Sequence, residues 1–252
     1  MSMNLLDLLF PKRCLGCGMI GAYFCDRCTS TIRIIDVRET ICPVCERSAI
    51  GGGTHPRCHT RYAIDGLTSF FHYDGVIRKA IKALKYRYVS DLAQELISLI
   101  SPLVLSHVRK YINAPAGSVL FVPVPLYPSR LRWRGFNQAE LLGRLLAERL
   151  NIPVDRRVLK RVRKTVPQVE VRERNKRLKN MEGVFALSHE QRVEYSSFDK
   201  FTLKRRNVKS KDDGINIVLF DDVFTTGATL RSAAAVLKRG GVKSVWGVTM
   251  AR

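Results

Sequence analysis

Thirteen consecutive residues, from Ile217 to Thr229, concentrate more chemistry than any other stretch of the chain. Asp221 and Asp222 are adjacent acids at the end of an apolar run, and Thr225, Thr226, Gly227, Ala228 and Thr229 follow two residues later. Ionised carboxylates accept hydrogen bonds and donate none. A small, hydroxylated loop that runs into a helix offers the opposite, backbone N–H groups and threonine hydroxyls that cradle an anion. Two carboxylates repel a bare phosphate, so one ligand of both devices must bring donors as well as an anion. A sugar phosphate does this: its 5′-phosphate fits the loop, its 2′- and 3′-hydroxyls donate to Asp221 and Asp222, and a Mg²⁺ can sit beside them.

A second chemistry lies before residue 59, where all seven cysteines fall. Cys14-x-x-Cys17, Cys25-x-x-Cys28 and Cys42-x-x-Cys45 are metal knuckles, and His55-x-x-Cys58 makes a fourth, with Gly51-Gly52-Gly53 as the turn before it. The odd cysteine count and this spacing argue against disulfides in a reducing compartment. Sequential zinc sites, Cys14/Cys17/Cys25/Cys28 and Cys42/Cys45/His55/Cys58, are favoured over an interleaved pairing of alternate knuckles. His59 is the rival histidine, but it adjoins Cys58 and cannot easily bend back to the same ion. So small a ribbon has no core of its own, and metal would supply its folding energy. Its role is open between binding nucleic acid, binding a partner and buttressing the rest of the chain.

The elements that must position these residues can be read around them. Ile215 to Phe220 is a β-branched apolar run of the kind found in a buried parallel strand, and ligands bind at the carboxyl end of such strands. Leu230 to Lys238 is a good helix former that stops at Gly240-Gly241. Tyr62 to Tyr73 is strand-like, and a boundary near residue 60 divides a metal module (1–60) from the remainder (61–252). Val76 to Tyr86 has helical spacing, Asp91 to Val108 is a second helix interrupted at Pro102, and Lys85-Tyr86-Arg87 lies between them. Val119 to Leu126 is a buried strand ended by Pro123 and Pro125. The basic, aromatic turn that follows carries Arg130, Arg132 and Arg134, whose guanidinium forks match pyrophosphate oxygens, ahead of a helix from Ala139 to Leu150.

Between Arg156 and Lys179 eleven basic residues stand against Glu170 and Glu173, a local excess of +9. This stretch reads either as a nucleic-acid face or as a mobile loop in which Lys164 and Gln168 close over pyrophosphate. Residues 188–213 are polar and aperiodic, as in a loop or hairpin insertion. Over 252 residues the net charge is +21, which predicts attraction to polyanions. No run approaches the roughly eighteen apolar residues of a membrane span, and the first ten residues lack a basic n-region and a cleavage site, so a cytoplasmic protein is expected. A Walker A loop and a dinucleotide fingerprint are both absent.

The stretch 217–229 resembles the phosphoribosyl-pyrophosphate loop of type I phosphoribosyltransferases at every position of the usual form: apolar residues, Asp-Asp, an apolar residue, Thr-Thr-Gly-Ala-Thr. Together with the knuckles, Lys85-Tyr86-Arg87, the segment Pro123 to Gln138 with its string Arg134-Gly135-Phe136-Asn137-Gln138, and the Thr165…Gln168…Arg177…Asn180…Gly183…Phe185 pattern, the order of features resembles the ComF family of competence-associated, amidophosphoribosyltransferase-like proteins. Two departures are His55, where a cysteine is usual, and the length of residues 188–213. The resemblance implies a type I phosphoribosyltransferase fold, an α/β architecture with a mostly parallel sheet, helices on both faces and a small hood, preceded by a zinc ribbon. It implies that phosphoribosyl pyrophosphate binds with Mg²⁺: Asp221 and Asp222 on the ribose, Thr225 to Thr229 on the 5′-phosphate, and Arg130, Arg134, Asn137 and Lys85 toward the pyrophosphate. The acceptor is not evident. The alternative class is a non-enzymatic protein of DNA uptake, with single-stranded DNA or DNA-uptake proteins as partners, that keeps the fold as a ligand-gated or structural body.

Overall fold

The computed structural model describes residues 11–86, 90–111, 118–165, 180–188 and 214–252. Gln168 and most of the basic stretch 156–179, Arg87, and the insertion from 189 to 213 lie outside these residues.

The body of the molecule is built on four parallel strands, β1 (Gly66–Phe71), β2 (Val119–Pro123), β5 (Asn216–Val223) and β6 (Ser244–Ala251), in the order β1-β6-β5-β2. Parallel strands buried on both faces need apolar residues at successive positions, and β5 shows why the run Ile217 to Phe220 has no polar gap. Ile217 and Leu219 face one core cluster, while Val218 and Phe220 face the other. On the Phe220 side lie the helices α2 (Gly75–Tyr86), α3 (Ser90–Ser98), α4 (Pro102–Tyr111) and α6 (Gln138–Leu150), contributing Ile81, Leu84, Leu92, Leu96, Val108, Leu142 and Leu146. On the Leu219 side α7 (Ala228–Arg239) contributes Leu230, Ala233, Ala234 and Leu237. The expected α/β class, parallel sheet and two helical layers are all present.

Several local expectations change in detail. The predicted helix over Asp91 to Val108 is two helices, because Pro102 cannot continue the first and instead starts the second at its N-terminal turn. The arginine-rich turn contains a helix, α5 (Pro128–Arg134), opened by Pro128 and closed at Gly135, whose φ of +80° is the left-handed value glycine tolerates. The basic stretch after residue 156 supplies β3 (Leu159–Arg161), paired antiparallel with β4 (Phe185–Leu187) as a separate small sheet over the α7 face. Strand β6, which no motif marks in the sequence, takes an interior position between β1 and β5.

Among its described residues the N-terminal ribbon carries one short α-helix, α1 (Asp26–Thr29), and three 3-10 turns at Val37–Glu39, Ile50–Gly52 and Pro56–Cys58. It is joined to the body through isolated bridges Ile34–Phe71 and Gly53–Gly66 and through ion pairs of Lys12 with Asp91 and Glu95, each 3.2 Å.

Candidate ligand site and metal centres

The carboxyl end of β5 and the start of α7 form a shallow, open cleft lined by Asp221, Phe224, Thr225, Gly227, Ala228 and Thr229. Strand β5 delivers Asp221 and Asp222 in its last turn of pleat, and the chain then bends through 225–227 into α7. Gly227 is the N-cap at φ +68°, a left-handed conformation that a side chain would strain. The first turn of α7 directs N–H groups that have no acceptor within the helix toward this end. Thr226, only 8 % exposed, has a hydroxyl oxygen with no hydrogen-bond partner. A buried hydroxyl left in this state is costly unless a ligand or water completes it.

The acidic pair is electrostatically loaded. Asp221 accepts from the backbone N–H of Asp222 at 2.9 Å. Desolvation, and then the neighbouring Asp222 carboxylate, push its pKa up to about 7. Lys85, at the end of α2, places its Nζ 2.9 Å from Asp222 Oδ2. Burial pulls the Lys85 ammonium down, but the attraction of Asp222 outweighs it and holds Lys85 above its ordinary value. A helix residue 137 positions earlier thus becomes the counter-ion of the motif, and its side chain is spent on Asp222 rather than left open for an anion.

The segment after β2 divides its work. Asn137 caps α6 by accepting from Ala139 N–H at 3.1 Å, and its Nδ2 donates to the Val124 carbonyl at 3.0 Å. Arg134 donates to the amide oxygen of the buried Gln138, whose own Nε2 donates to the Leu84 carbonyl. These two predicted ligand residues therefore brace the loop against the strand end and the helix that carries Lys85. Arg130 reaches the hood instead, donating to the Thr165 carbonyl at 3.2 Å. Lys164, next to it, is exposed.

The hood adds a residue that the sequence did not single out. Arg161, on the inward-facing alternation of β3 with Leu159, donates to Thr165 Oγ1 and lies over the Phe185 ring at 5.6 Å, while its Nε is buried without a partner. Burial and the nearby Arg130 guanidinium hold Arg161 below its ordinary pKa, and Asp221 acts in the opposite direction. Two neighbouring guanidinium groups, both bonded to Thr165, concentrate positive charge that can receive an anion. In the sequence Arg161 was one of eleven basic residues, and only its inward register on a three-residue strand distinguishes it.

The metal ligands gather in sequential order. The ligand atoms of Cys14, Cys17, Cys25 and Cys28 lie within 4.8 Å of one another, as do those of Cys42, Cys45, His55 and Cys58. Tetrahedral zinc with Zn–S near 2.3 Å requires S···S separations of roughly 3.8 Å. Cys14–Cys25 and Cys17–Cys25 are 3.6 and 3.7 Å apart, and Cys45 Sγ is 3.4 Å from His55 Nδ1. The His55 Nε2 lies 2.9 Å from the Ser48 carbonyl, the outer contact that fixes a histidine's tautomer so that Nδ1 can bind metal. His59 turns away to Asp65 at 3.4 Å. Burial and neighbouring sulfurs push Cys28 up to about 12 and Cys58 up to about 11, so without a cation the four thiols of the first cluster and the three of the second resist full ionisation. The donor sets fit zinc.

Fold and site together define an α/β protein with a strand-end acidic pair and anion-type loop, fronted by a paired zinc ribbon. A double zinc ribbon domain matches residues 5–59. The chain is 30 % identical over 243 residues to the DNA utilization protein YhgH of Salmonella typhi, covering 94 % of this chain and 96 % of that protein. It is 26 % identical over 239 residues to competence protein ComFC of Bacillus subtilis, covering 90 % and 83 %. Competence protein F of Haemophilus influenzae is 34 % identical over 132 residues, a match to 52 % of this chain and about half, 49 %, of that protein. The chain belongs to the ComF family of competence and DNA-utilization proteins. Among the described residues no helix is long and apolar enough to cross a membrane.

Proposed function

We propose that the cleft at the end of β5 binds phosphoribosyl pyrophosphate with Mg²⁺. The observation that carries this is the juxtaposition, at the end of β5, of the Asp221–Asp222 pair, neutralised on one side by Lys85, with the 225–229 loop that lines a cleft together with Asp221 and whose buried Thr226 hydroxyl lacks a partner. The carboxylates accept the ribose hydroxyls, and the loop and first turn of α7 receive the 5′-phosphate. Arg130 and Arg161 take the diphosphate from the hood side, while Asn137 and Arg134 hold the intervening loop. Asp221 and Asp222, together with the ligand's own oxygens, would hold magnesium, which would supply neutralisation of diphosphate charge. Transfer of the ribosyl group to an acceptor is then a matter of positioning and charge stabilisation by these same side chains.

The test is titration calorimetry with phosphoribosyl pyrophosphate and Mg²⁺ on the full chain and on the double variant Asp221→Asn/Asp222→Asn. Loss of two charge-assisted hydrogen bonds, each about 1.5–3 kcal/mol, should weaken binding by several kcal/mol while the folded state survives. Equal affinity in the two proteins would remove the ribose assignment. Pyrophosphate release in a screen of nucleobases, amines and DNA then separates turnover from binding alone.

One observation favours a second role, handling of single-stranded DNA. Trp133 is 72 % exposed on α5 beside Arg132, at the mouth of the segment that carries Arg130 and Arg134. Stacking of a base on an exposed aromatic ring is worth about 1–3 kcal/mol, so Trp133→Ala should weaken binding of single-stranded oligonucleotides about fivefold or more. Unchanged affinity would take Trp133 out of any such surface.

A further inference from the structure

The two metal clusters meet the α/β body in different places. Cys14, Cys25 and Cys28 are backed by Val76 at the start of α2, and Lys79 of that helix donates to the Gly16 carbonyl at 3.1 Å. The second cluster touches the anion loop itself. Pro43 lies buried between the ligands Cys42, which has no exposed surface, and Cys45. The Pro43 carbonyl oxygen stands 3.1 Å from the position a Cβ would occupy on Gly227, and the Phe224 ring closes the same space at 2.6 Å. Ile41, just before the knuckle, packs on the core cluster that contains Phe224, Ala228 and Leu230. The N-cap of α7 is thus clamped between a ring of its own loop and the backbone of a metal knuckle.

We propose that the second zinc knuckle is a positioning element of the anion loop: its Pro43 carbonyl fixes Gly227, so metal at Cys42/Cys45/His55/Cys58 and ligand at Thr225 to Thr229 are coupled, while the first cluster is not. Proline fixes one dihedral of residue 43, and convergence of Cys42 and Cys45 on one ion fixes the rest of the knuckle. Removing the ion releases the surface against which Gly227 holds its left-handed conformation. Linkage is reciprocal, so a ligand that requires the ordered loop must also retain the metal. The ligand half of this coupling rests on the phosphoribosyl reading above, whereas the contact between knuckle and loop does not.

Cadmium NMR of the cadmium-loaded full chain distinguishes the clusters, since a four-sulfur site and a site of three sulfurs and one nitrogen resonate apart. Gly227→Ala forces a Cβ against both the Phe224 ring, at 2.6 Å, and the Pro43 carbonyl, at 3.1 Å, without any ligand. It should shift the sulfur–nitrogen resonance and weaken retention of that ion against a competing chelator at equilibrium at least about fivefold, the lower bound of ordinary site coupling, leaving the four-sulfur site unchanged. Pro43→Gly, which alters no metal ligand and no loop residue, should do the same. Equal loss from both clusters, or an unmoved second resonance in both variants, overturns the coupling. In the unaltered chain, phosphoribosyl pyrophosphate with Mg²⁺ should strengthen equilibrium retention of the second ion only. If the variants act as stated but this ligand has no effect and does not bind in calorimetry, the coupling stands and the phosphoribosyl assignment fails. If it binds and neither resonance responds, the coupling fails.

Discussion

Asp221 is the residue on which the site's electrostatics turn, and its titration carries a stability signature. Its folded pKa, about 7, lies above the ordinary 3.8. The folded state therefore favours the protonated acid. The stabilisation is complete below about pH 4 and is lost as pH rises through about 7, because ionisation then occurs in a desolvated place beside a second carboxylate. Asn at this position keeps an acceptor for the Asp222 N–H and does not titrate. Asp221→Asn is thus expected to raise the urea midpoint more at about pH 8 than at about pH 5, in the absence of ligand. A gain independent of pH would mean that Asp221 ionises normally in the folded protein. The same substitution that weakens ligand binding should therefore stabilise the empty protein, the usual sign of a site held under strain for function.

At the scale of elements, the closeness of helix to sheet is set by small residues. Gly143 of α6 faces the Phe121 and Phe220 rings, where an added Cβ would come within 2.9 and 3.3 Å. Overpacking of this kind costs about 1–3 kcal/mol, and the better helix propensity of alanine, about 1 kcal/mol, offsets part. Gly143→Ala should therefore lower unfolding free energy by about 1 kcal/mol in urea titration. A more stable variant would show that α6 can move outward at no cost.

Much of this architecture is legible in sequence because the local signal and the tertiary one agree. Apolar runs such as Ile217 to Phe220 announce strands buried on both faces, and the CxxC spacing announces the metal knuckles, while the choice between sequential and interleaved pairing is made by the fold, which gathers Cys14 with Cys28 and Cys42 with Cys58. What was not legible depends on distant partners. Strand β3 lies in a stretch dominated by charge, so no period marks it, and Arg161 acquires meaning only from Leu187 and Phe185 opposite. Nor does the sequence reveal that Lys85 is the partner of Asp222, or that Asn137 spends both polar groups on backbone, since both follow from where α2 and α6 end in space. The helix α5 was hidden by its proline and its arginines, which read as a turn.

For the molecule as a whole, the net charge of +21 sets the terms on which nucleic acid would be met. Each phosphate neutralised on a single strand contributes about −0.7 to the slope of log affinity against log salt. Binding to single-stranded DNA, measured by anisotropy across a salt series, should fall with a slope corresponding to several contacts and depend little on sequence. A flat, sequence-selective response would place recognition in base contacts rather than in the basic surface.

The position of β6 has a consequence for how the protein is made. Its buried Thr249 hydroxyl pairs with Ser69 of β1 at 2.7 Å across a separation of 180 residues, and β6 also forms the other half of the β5 edge. During synthesis, β1 leaves the ribosome long before the strand that must lie against it. Both neighbours of the β6 slot remain open, hydrogen-bonding, apolar edges until that strand is translated. The ribbon can close on metal early, but the sheet closes late, at the slow rates typical of non-local pairing. Nascent chains that pause before residue 244 should consequently be claimed by chaperones or aggregate through the unpaired edges of β1 and β5.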